Sequence, residues 1–584
     1  MFRITEVIES RFPAFGAQPP MIARPIMAML RKLLREDDVN ALLAQCEGLE
    51  GFEFVDRILE LFNVSYSVVE REAQNIPVEG RVVIVSNHPL GFLDGFALLQ
   101  MVGKVRRDVR IVVNDVLLHF KQANRLLLPV VSMGEGSNRA NVEAIHAALA
   151  HDEAIIIFPS GEVSRAGPLG IRDARWRSGF LRFAEQARAP LLPVHVGGRN
   201  SALFYGVSTI FRPLSTLMLL REPHGQRNAT LPIRVGEMIP WKEVAALDLP
   251  RAQKIERISS EVYGIGKRRV VGFRTEKPIA RPEDRLALRR ELGSAQRLGE
   301  TPDGQQIRLV DARPDSAVMR ELGRLREIAF RQVGEGTGKR RDIDAFDAYY
   351  RHVVLWDESE LQVVGAYRVG DAARILAERG PGGLYTHQLF SFGEPMGARL
   401  AQSLELGRSF VQPRYQGLRA LEYLWYGIGA YLATRPDVRY LFGPVSVSAS
   451  YPEWARRMLV YFYRRYFGTP ERLAEARSAF VIPEAEEIEL ARLLPGDDYP
   501  SDFRALKLRL AQAGLAVPTL YKQYADLCDV GGTRFLAFNV DAAFAHCVDG
   551  LVMVDLLRLK PGKRERYLGA GRRLAEPAGT LKIA

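Results

Sequence analysis

Cysteine is scarce in this chain: three in 584 residues, Cys46, Cys528 and Cys547, with no CxxC among them. Such spacing argues against a disulfide framework and a zinc centre; no metal site is expected, and a reducing cytosolic compartment suits the thiols. Long apolar runs are missing too. No stretch approaches the roughly 18–20 uncharged apolar residues of a membrane span. The nearest, LFYGVSTIFRPLSTLMLL (203–220), is broken by Arg212 and Pro213 and reads as a buried or interfacial segment. The opening MFRITEVIESRFPAFG carries acids early and has no continuous apolar core, so no secretory signal is expected. Internal repeats and low-complexity tracts are also absent.

What the chain does have is charge. Eighty Lys and Arg against 69 Asp and Glu give a net +11. That balance favours an anionic partner (nucleic acid, an acidic lipid surface or an acidic protein), although a solvated Arg-rich surface would look the same. No nucleic-acid recognition module is readable, so nucleic acid is not expected. PPMIARPIMAMLRKLLRE (19–36) sets Met, Ile and Leu against Arg31, Lys32 and Arg35. A basic amphipathic helix of this kind can lie on an anionic membrane or pack on its own domain.

The length implies more than one domain. Residues 1–75 read as a helical, interfacial segment. From residue 81, β-branched runs such as RVVIVS (81–86), VRIVV (109–113) and AIIIF (154–158) alternate with helical stretches such as NVEAIHAALA (141–150). Alternation of this kind implies a largely parallel sheet with covered faces, expected over 76–272. Residues 273–304 are charged and poor in large apolar groups, which suits a linker. A second α/β domain is expected over 305–500. Its parts are a first strand QIRLVDARP, a hairpin arm LQVVGAYRV, a central strand QSLELGRSFV and a helix ALEYLWYGIGAYLATR. Residues 501–584 read as an extension with a basic tail. The fold class is therefore two α/β domains, the first with a mostly parallel sheet and the second with a mixed one.

Chemistry is expected first at SNHPLGFLDG (86–95). His88 directly follows an apolar strand, where parallel α/β sheets place their sites. A His held by a carboxylate such as Asp94 can deprotonate a hydroxyl, a contribution of about 10²–10⁴-fold. The glycines and proline of the loop would suit a plain turn equally well. FPSGEVSR (158–165) follows another apolar strand and offers Ser160, Gly161, Glu162 and Arg165.

An NHP…D loop, an FP-x-G loop and the strand APLLPVHVGG (189–198), in that order, resemble the glycerolipid acyltransferases over about residues 75–240. The resemblance implies that His88 is the general base on an acceptor hydroxyl and that Asp94 orients it. Asn87, Ser160, Gly161, Glu162 and Arg165 would line the acceptor site. Two departures bear on the acceptor. Five residues separate His88 from Asp94 where the family has four, and Ser160 stands where the family has Glu. Both point away from a glycerol phosphate and toward a hydroxyacyl amino acid.

The second half resembles GNAT-type N-acyltransferases that take long acyl chains from acyl carrier protein, over about 305–470. The carriers of the likeness are FRQVGEGTGKRRDIDAFDAYY (330–350), VVGAYRV (363–369), LELGRSFV (404–411) and RYQGLRALEYLW (414–425), with features shared with acyl-homoserine-lactone synthases. By this likeness Glu405 faces the acyl thioester as the base for the amine; its alternative is an inner carboxylate paired with Arg408 or Arg368. Asp344 and Asp347 would suit a cationic side chain. Arg414, Gly417 and Arg419 would hold a phosphopantetheine arm, with Arg419 where coenzyme A enzymes carry Gly or Ala.

Together the halves resemble bifunctional ornithine-lipid synthases. The resemblance implies two steps: N-acylation of ornithine with a 3-hydroxyacyl group from acyl carrier protein, then O-acylation of the lyso-lipid's hydroxyl. It also implies no bound cofactor, the acyl-carrier-protein thioester as co-substrate, and peripheral association with the inner face of the cytoplasmic membrane. Glycine, glutamine or lysine as head group stays open, as do lysophospholipid acylation and a non-catalytic, hemolysin-like membrane protein.

Overall fold

A computed structural model describes the chain from Glu36 to Gly569, except 114–120, 130–138, 168–169, 211–221, 223–227, 268–271, 312, 314 and 418, with a few scattered positions before 36. Most of the amphipathic stretch 19–36, residues 211–220 of the apolar stretch and the end of the basic tail lie outside the described residues. Among the described residues, no helix is long and apolar enough to cross a membrane. The chain divides into two compact units, Met1–Pro278 and Ile279–Ala584.

The first unit is built on seven strands: β1 (Ser65–Val68), β2 (Val82–Ser86), β3 (Val109–Val113), β4 (Leu127–Pro129), β5 (Ala154–Ile157), β6 (Leu191–Val196) and β7 (Thr230–Val235). Their order is β1-β7-β6-β2-β5-β3-β4. Every pair is parallel except β6 with β7. β2 and β5 are buried on both faces, as continuous Val/Ile runs in a covered parallel sheet must be. One face is closed by α1 (Phe52–Leu61) and α2 (Phe92–Gly103), the other by α3 (Arg139–Ala150), α4 (Gly179–Ala187) and α5 (Arg251–Gly266). Residues 52–68 are thus part of this core, with Phe54, Val55, Ile58 and Leu59 buried, not a detached segment ending at 75.

The main sheet of the second unit has eight strands: β8 (Gln296–Glu300), β9 (Gln306–Asp311), β10 (Arg351–Asp357), β11 (Gln362–Asp371), β12 (Ser403–Val411), β13 (Tyr440–Val447), β14 (Thr533–Asp541) and β15 (Cys547–Asp555). They run in the order β8-β9-β10-β11-β12-β13-β15-β14. Only β12 and β13 pair in parallel, and only at Ser403–Glu405 against Tyr440–Phe442. Past that point the two strands part.

Two expectations about boundaries are corrected. The linker placed at 273–304 contains the unit boundary, but most of it is folded. Asp284 caps α6 (Arg285–Ser294) by accepting from the Ala287 N–H at 2.8 Å, and β8 follows at the sheet edge. Leu288 and Leu292, four apart on one helix face, are the buried stripe that the surrounding charge concealed. Each contributes about 1.5–3 kcal/mol of burial. The stretch after 501 is no appendage either, because β14 and β15 complete the sheet and β15 pairs with β13 over its whole length.

Candidate active sites

The first site forms where β2 ends. Gly91, at φ +84°, turns the chain into α2, so Asp94 falls in the first helical turn directly beneath the strand end. The fifth intervening residue is absorbed in this turn. The Nδ1 of His88 lies 3.1 Å from Oδ2 of Asp94, which also accepts the Leu90 N–H at 2.7 Å. With Nδ1–H donated to the carboxylate, Nε2 is left to take a proton. Asp94 is fully buried, and burial pushes its carboxyl above the usual range against the pull of His88. The Phe158 ring stacks on the imidazole at 3.9 Å between centroids.

A second, half-buried acid, which no motif signalled, fixes His88 from behind. Asp173 accepts the His88 N–H at 3.2 Å, the Ser164 hydroxyl at 2.5 Å and the Trp176 indole N–H at 3.0 Å. Ser164 in turn donates its N–H to the His88 carbonyl at 2.7 Å. His88 is therefore clamped at side chain and backbone.

His88 borders an open cavity of about 170 Å³, together with Phe158, Gly161 and Arg177. The remaining expected acceptor residues play other parts. Asn87 ties β2 to β6 through paired 2.8 Å hydrogen bonds with Val196. Ser160 is buried and donates to the Glu162 carbonyl, while Glu162 and Arg165 pair with each other at 3.1 Å. None of these four borders the cavity; the FP-x-G block reaches it through Phe158, Pro159 and Gly161. Arg177 is the cation at the mouth. A Cβ on Gly161 would sit 3.6 Å from its guanidinium carbon.

The second site is wired differently. Glu405 lies on β12, 2% exposed, and accepts from the Tyr350 hydroxyl and from the Tyr385 and Thr386 N–H groups at 3.2 and 2.6 Å. Among the described residues it has no direct ion pair with an Arg. Its oxygens hold the Tyr385–Thr386 turn in place. Burial pushes its carboxyl above the usual range.

Asp344 and Asp347 are likewise not open to a cationic substrate. Arg368 donates to both, at 2.6 and 3.3 Å, and Arg326 donates to Asp347 at 2.8 Å. Arg408 reaches Asp342 at 3.1 Å and Asp344 at 3.4 Å. These pairs form a network of ions buried except for the half-exposed Asp344, and the arginines hold the Asp347 carboxyl well below the usual range.

Beyond Glu405, the parted ends of β12 and β13 enclose a cavity of about 230 Å³. Arg408, whose φ of +47° marks a bulge in β12, and Tyr385 stand on one side. Glu335, Ser446 and Asp549 stand on the other. Sequence reading named neither Glu335 nor Asp549, since they lie 214 positions apart and meet only through the sheet. Farther along, Arg414 pairs with Glu360 at 2.7 Å, Gly417 turns at φ +81°, and Arg419 stands at the start of α7 (Ala420–Ala433), 3.8 Å from Glu422. Gly417 and Arg419 border a shallow hollow of about 510 Å³; Arg414 does not.

Comparison with known proteins matches residues 9–265 to the family described as "Acyltransferase" and residues 325–426 to the "Acetyltransferase (GNAT) domain". A glycine N(alpha)-acyltransferase of Bacteroides thetaiotaomicron is 32% identical over 304 residues, 50% of this chain and 89% of that protein. A lyso-glycine lipid O-acyltransferase of the same organism is 29% identical over 267 residues, 44% of this chain and 96% of that one. An L-ornithine N(alpha)-acyltransferase of Rhizobium meliloti is 32% identical over 246 residues, 41% of this chain and 75% of that one. The chain thus belongs to the N(alpha)-acyltransferase family these relatives represent, carries an acyltransferase domain ahead of its GNAT domain, and is an O- and N-acyltransferase.

Proposed function

We propose that the chain makes an amino-acid lipid in two consecutive steps. The GNAT unit N-acylates ornithine with a 3-hydroxyacyl group from acyl carrier protein, and the first unit O-acylates the 3-hydroxyl of the resulting lyso-lipid. One observation carries this reading. Two separate proteins of one organism, one named for the N-acylation and one for the O-acylation, match 50% and 44% of this single chain. A tether raises the effective concentration of an amphipathic intermediate that would otherwise disperse into lipid.

In the first step the amine nitrogen bonds to the acyl carbon, the C–S bond breaks, and the thiol leaves carrying a proton. The split between β12 and β13 is where an extended donor arm has unpaired strand edges to bond. Arg414 and Arg419, both on the surface, suit an acidic carrier protein. In the second step Nε2 of His88 takes the hydroxyl proton as the oxygen bonds to the acyl carbon of the second thioester; the C–S bond breaks and the imidazolium returns the proton to the leaving thiolate. Arg177 suits the free carboxylate of an amino-acid head group. The net charge of +11 supports work at an anionic membrane surface.

A second head group, glycine, is favoured by one observation: Asp344 and Asp347, which would have greeted a cationic side chain, are neutralised internally. Mass spectrometry of lipids from a bacterium expressing the chain decides. The proposal expects a new phosphorus-free lipid with an ornithine head group and two acyl chains. A glycine head group would replace ornithine in the proposal, and the absence of any new amino lipid would refute it.

A further inference from the structure

We propose that the cavity at the strand split is the acceptor subsite of the N-acyltransferase unit, and that Glu335 and Asp549 there hold the two cationic groups of a diamino acid. This rests on the reading of that unit as an amino-acid N-acyltransferase.

The cavity, about 230 Å³, corresponds to some seven or eight waters, the scale of a free amino acid rather than a lipid. Glu335 and Asp549 are 6% and 4% exposed, and both border it. Glu335 accepts the Ser446 hydroxyl at 2.9 Å; the contact of Asp549 is the Cys547 thiol at 3.8 Å. Neither has an ion-pair partner among the described residues. Arg408, the cation of the cavity wall, is committed elsewhere, to Asp342, Asp344 and the Tyr385 hydroxyl, and stacks on Phe544.

Buried carboxylates without a counter-ion are costly, and a fold that retains two beside a cavity retains them for a ligand. The same unit shows the contrast, since Asp342, Asp344 and Asp347 are each met by an arginine. Burial pushes Glu335 up to about 7 and Asp549 up to about 8, as expected of acids that wait for a cation. Two such acids match two ammonium groups, whereas glycine offers one.

The test uses the purified full chain, with an acylated carrier protein as donor. Wild type, Glu335→Gln and Asp549→Asn are compared for N-acylation of L-ornithine and of glycine, with O-acylation of supplied lyso-lipid as an independent readout. Both variants are isosteric and relieve a buried charge, so they fold and keep O-acylation. The expected result is a KM for ornithine raised at least tenfold in each variant, with the KM for glycine raised less in at least one. An ornithine KM within twofold of wild type in both variants overturns the assignment. So does a variant that fails to fold, which would mark the acids as structural. A wild type that acylates glycine but not ornithine overturns the diamino-acid subsite and leaves the N-acyltransferase reading standing. A wild type that acylates no amino acid overturns both.

Discussion

The two units bury their carboxylates to different ends. In the first, one acid serves one base: Asp94 holds His88 across a single turn, and Asp173 holds the same residue's backbone. In the second, several acids and arginines neutralise one another over a network, Glu405 and Asp541 are held by N–H and O–H donors, and Glu335 and Asp549 face the cavity with no ion pair among the described residues. The first arrangement is local and tunes one proton transfer. The second spreads across the sheet and shapes a place for a charged guest. Catalytic importance in the second unit therefore cannot be read from burial and charge alone, because most of its buried ions serve only each other.

The largest effect that would sharpen this contrast is expected of His88→Ala. O-acylation should fall by about 10²–10⁴-fold while N-acylation continues, so that lyso-lipid accumulates in lipid extracts. Retention of the full diacylated product would break the assignment of the first unit. Next comes Glu405→Ala. It strands the Thr386 N–H, at about 1–3 kcal/mol, removes a partner from the Tyr350 hydroxyl and the Tyr385 N–H, and loosens the Tyr385 turn. Cells should lose both lipids, and purified protein should still O-acylate added lyso-lipid. If O-acylation fell as well, the two units would not be separable in function.

A smaller effect is expected of Arg177→Ala: a rise in KM for lyso-lipid of about tenfold, the equivalent of one charge-assisted hydrogen bond, with kcat little changed. An unchanged KM would remove Arg177 from the acceptor site. The mildest test is pH. The groups facing Glu335 and Asp549 include Arg408 on β12, Asp541 on β14, Cys547 on β15 and the phenols of Tyr385, Tyr451 and Tyr521. Protonation removes their charge as pH falls through about 8 and then 7, so the KM for ornithine should rise over that interval. Without ligand the sign reverses. Acids whose carboxyls are raised by folding hold more protons folded than unfolded, so apo stability falls as pH climbs from the ordinary carboxylate range toward 8. Glu335→Gln and Asp549→Asn should flatten that slope in thermal melts.

Much of the first site was legible because it is short-range. Strand, loop, His88 and Asp94 sit within 13 residues, and the first turn of α2 brings the acid to the base. Asp173 was not legible, since it joins His88 only through the fold and sits in no motif. In the second unit, Glu405, Arg368, Arg408, Asp344 and Asp347 were legible as candidates, but the hydrogen bonds and ion pairs that tie them together were not. Residue type shows that a buried charge needs a partner and does not show which one it will find. The folded part of 273–304 was hidden by its own charge, its apolar stripe being only two leucines wide.

The sequence by itself determined the two α/β halves, through apolar periodicity, and the His88–Asp94 dyad, through spacing along one strand–turn–helix. Only the tertiary structure decided that Glu405 supports a turn and that Asp344 and Asp347 are neutralised. It alone also brought Glu335 and Asp549 to face one cavity, because pairing among buried charges is set by which strands become neighbours, and no local rule of the chain encodes that.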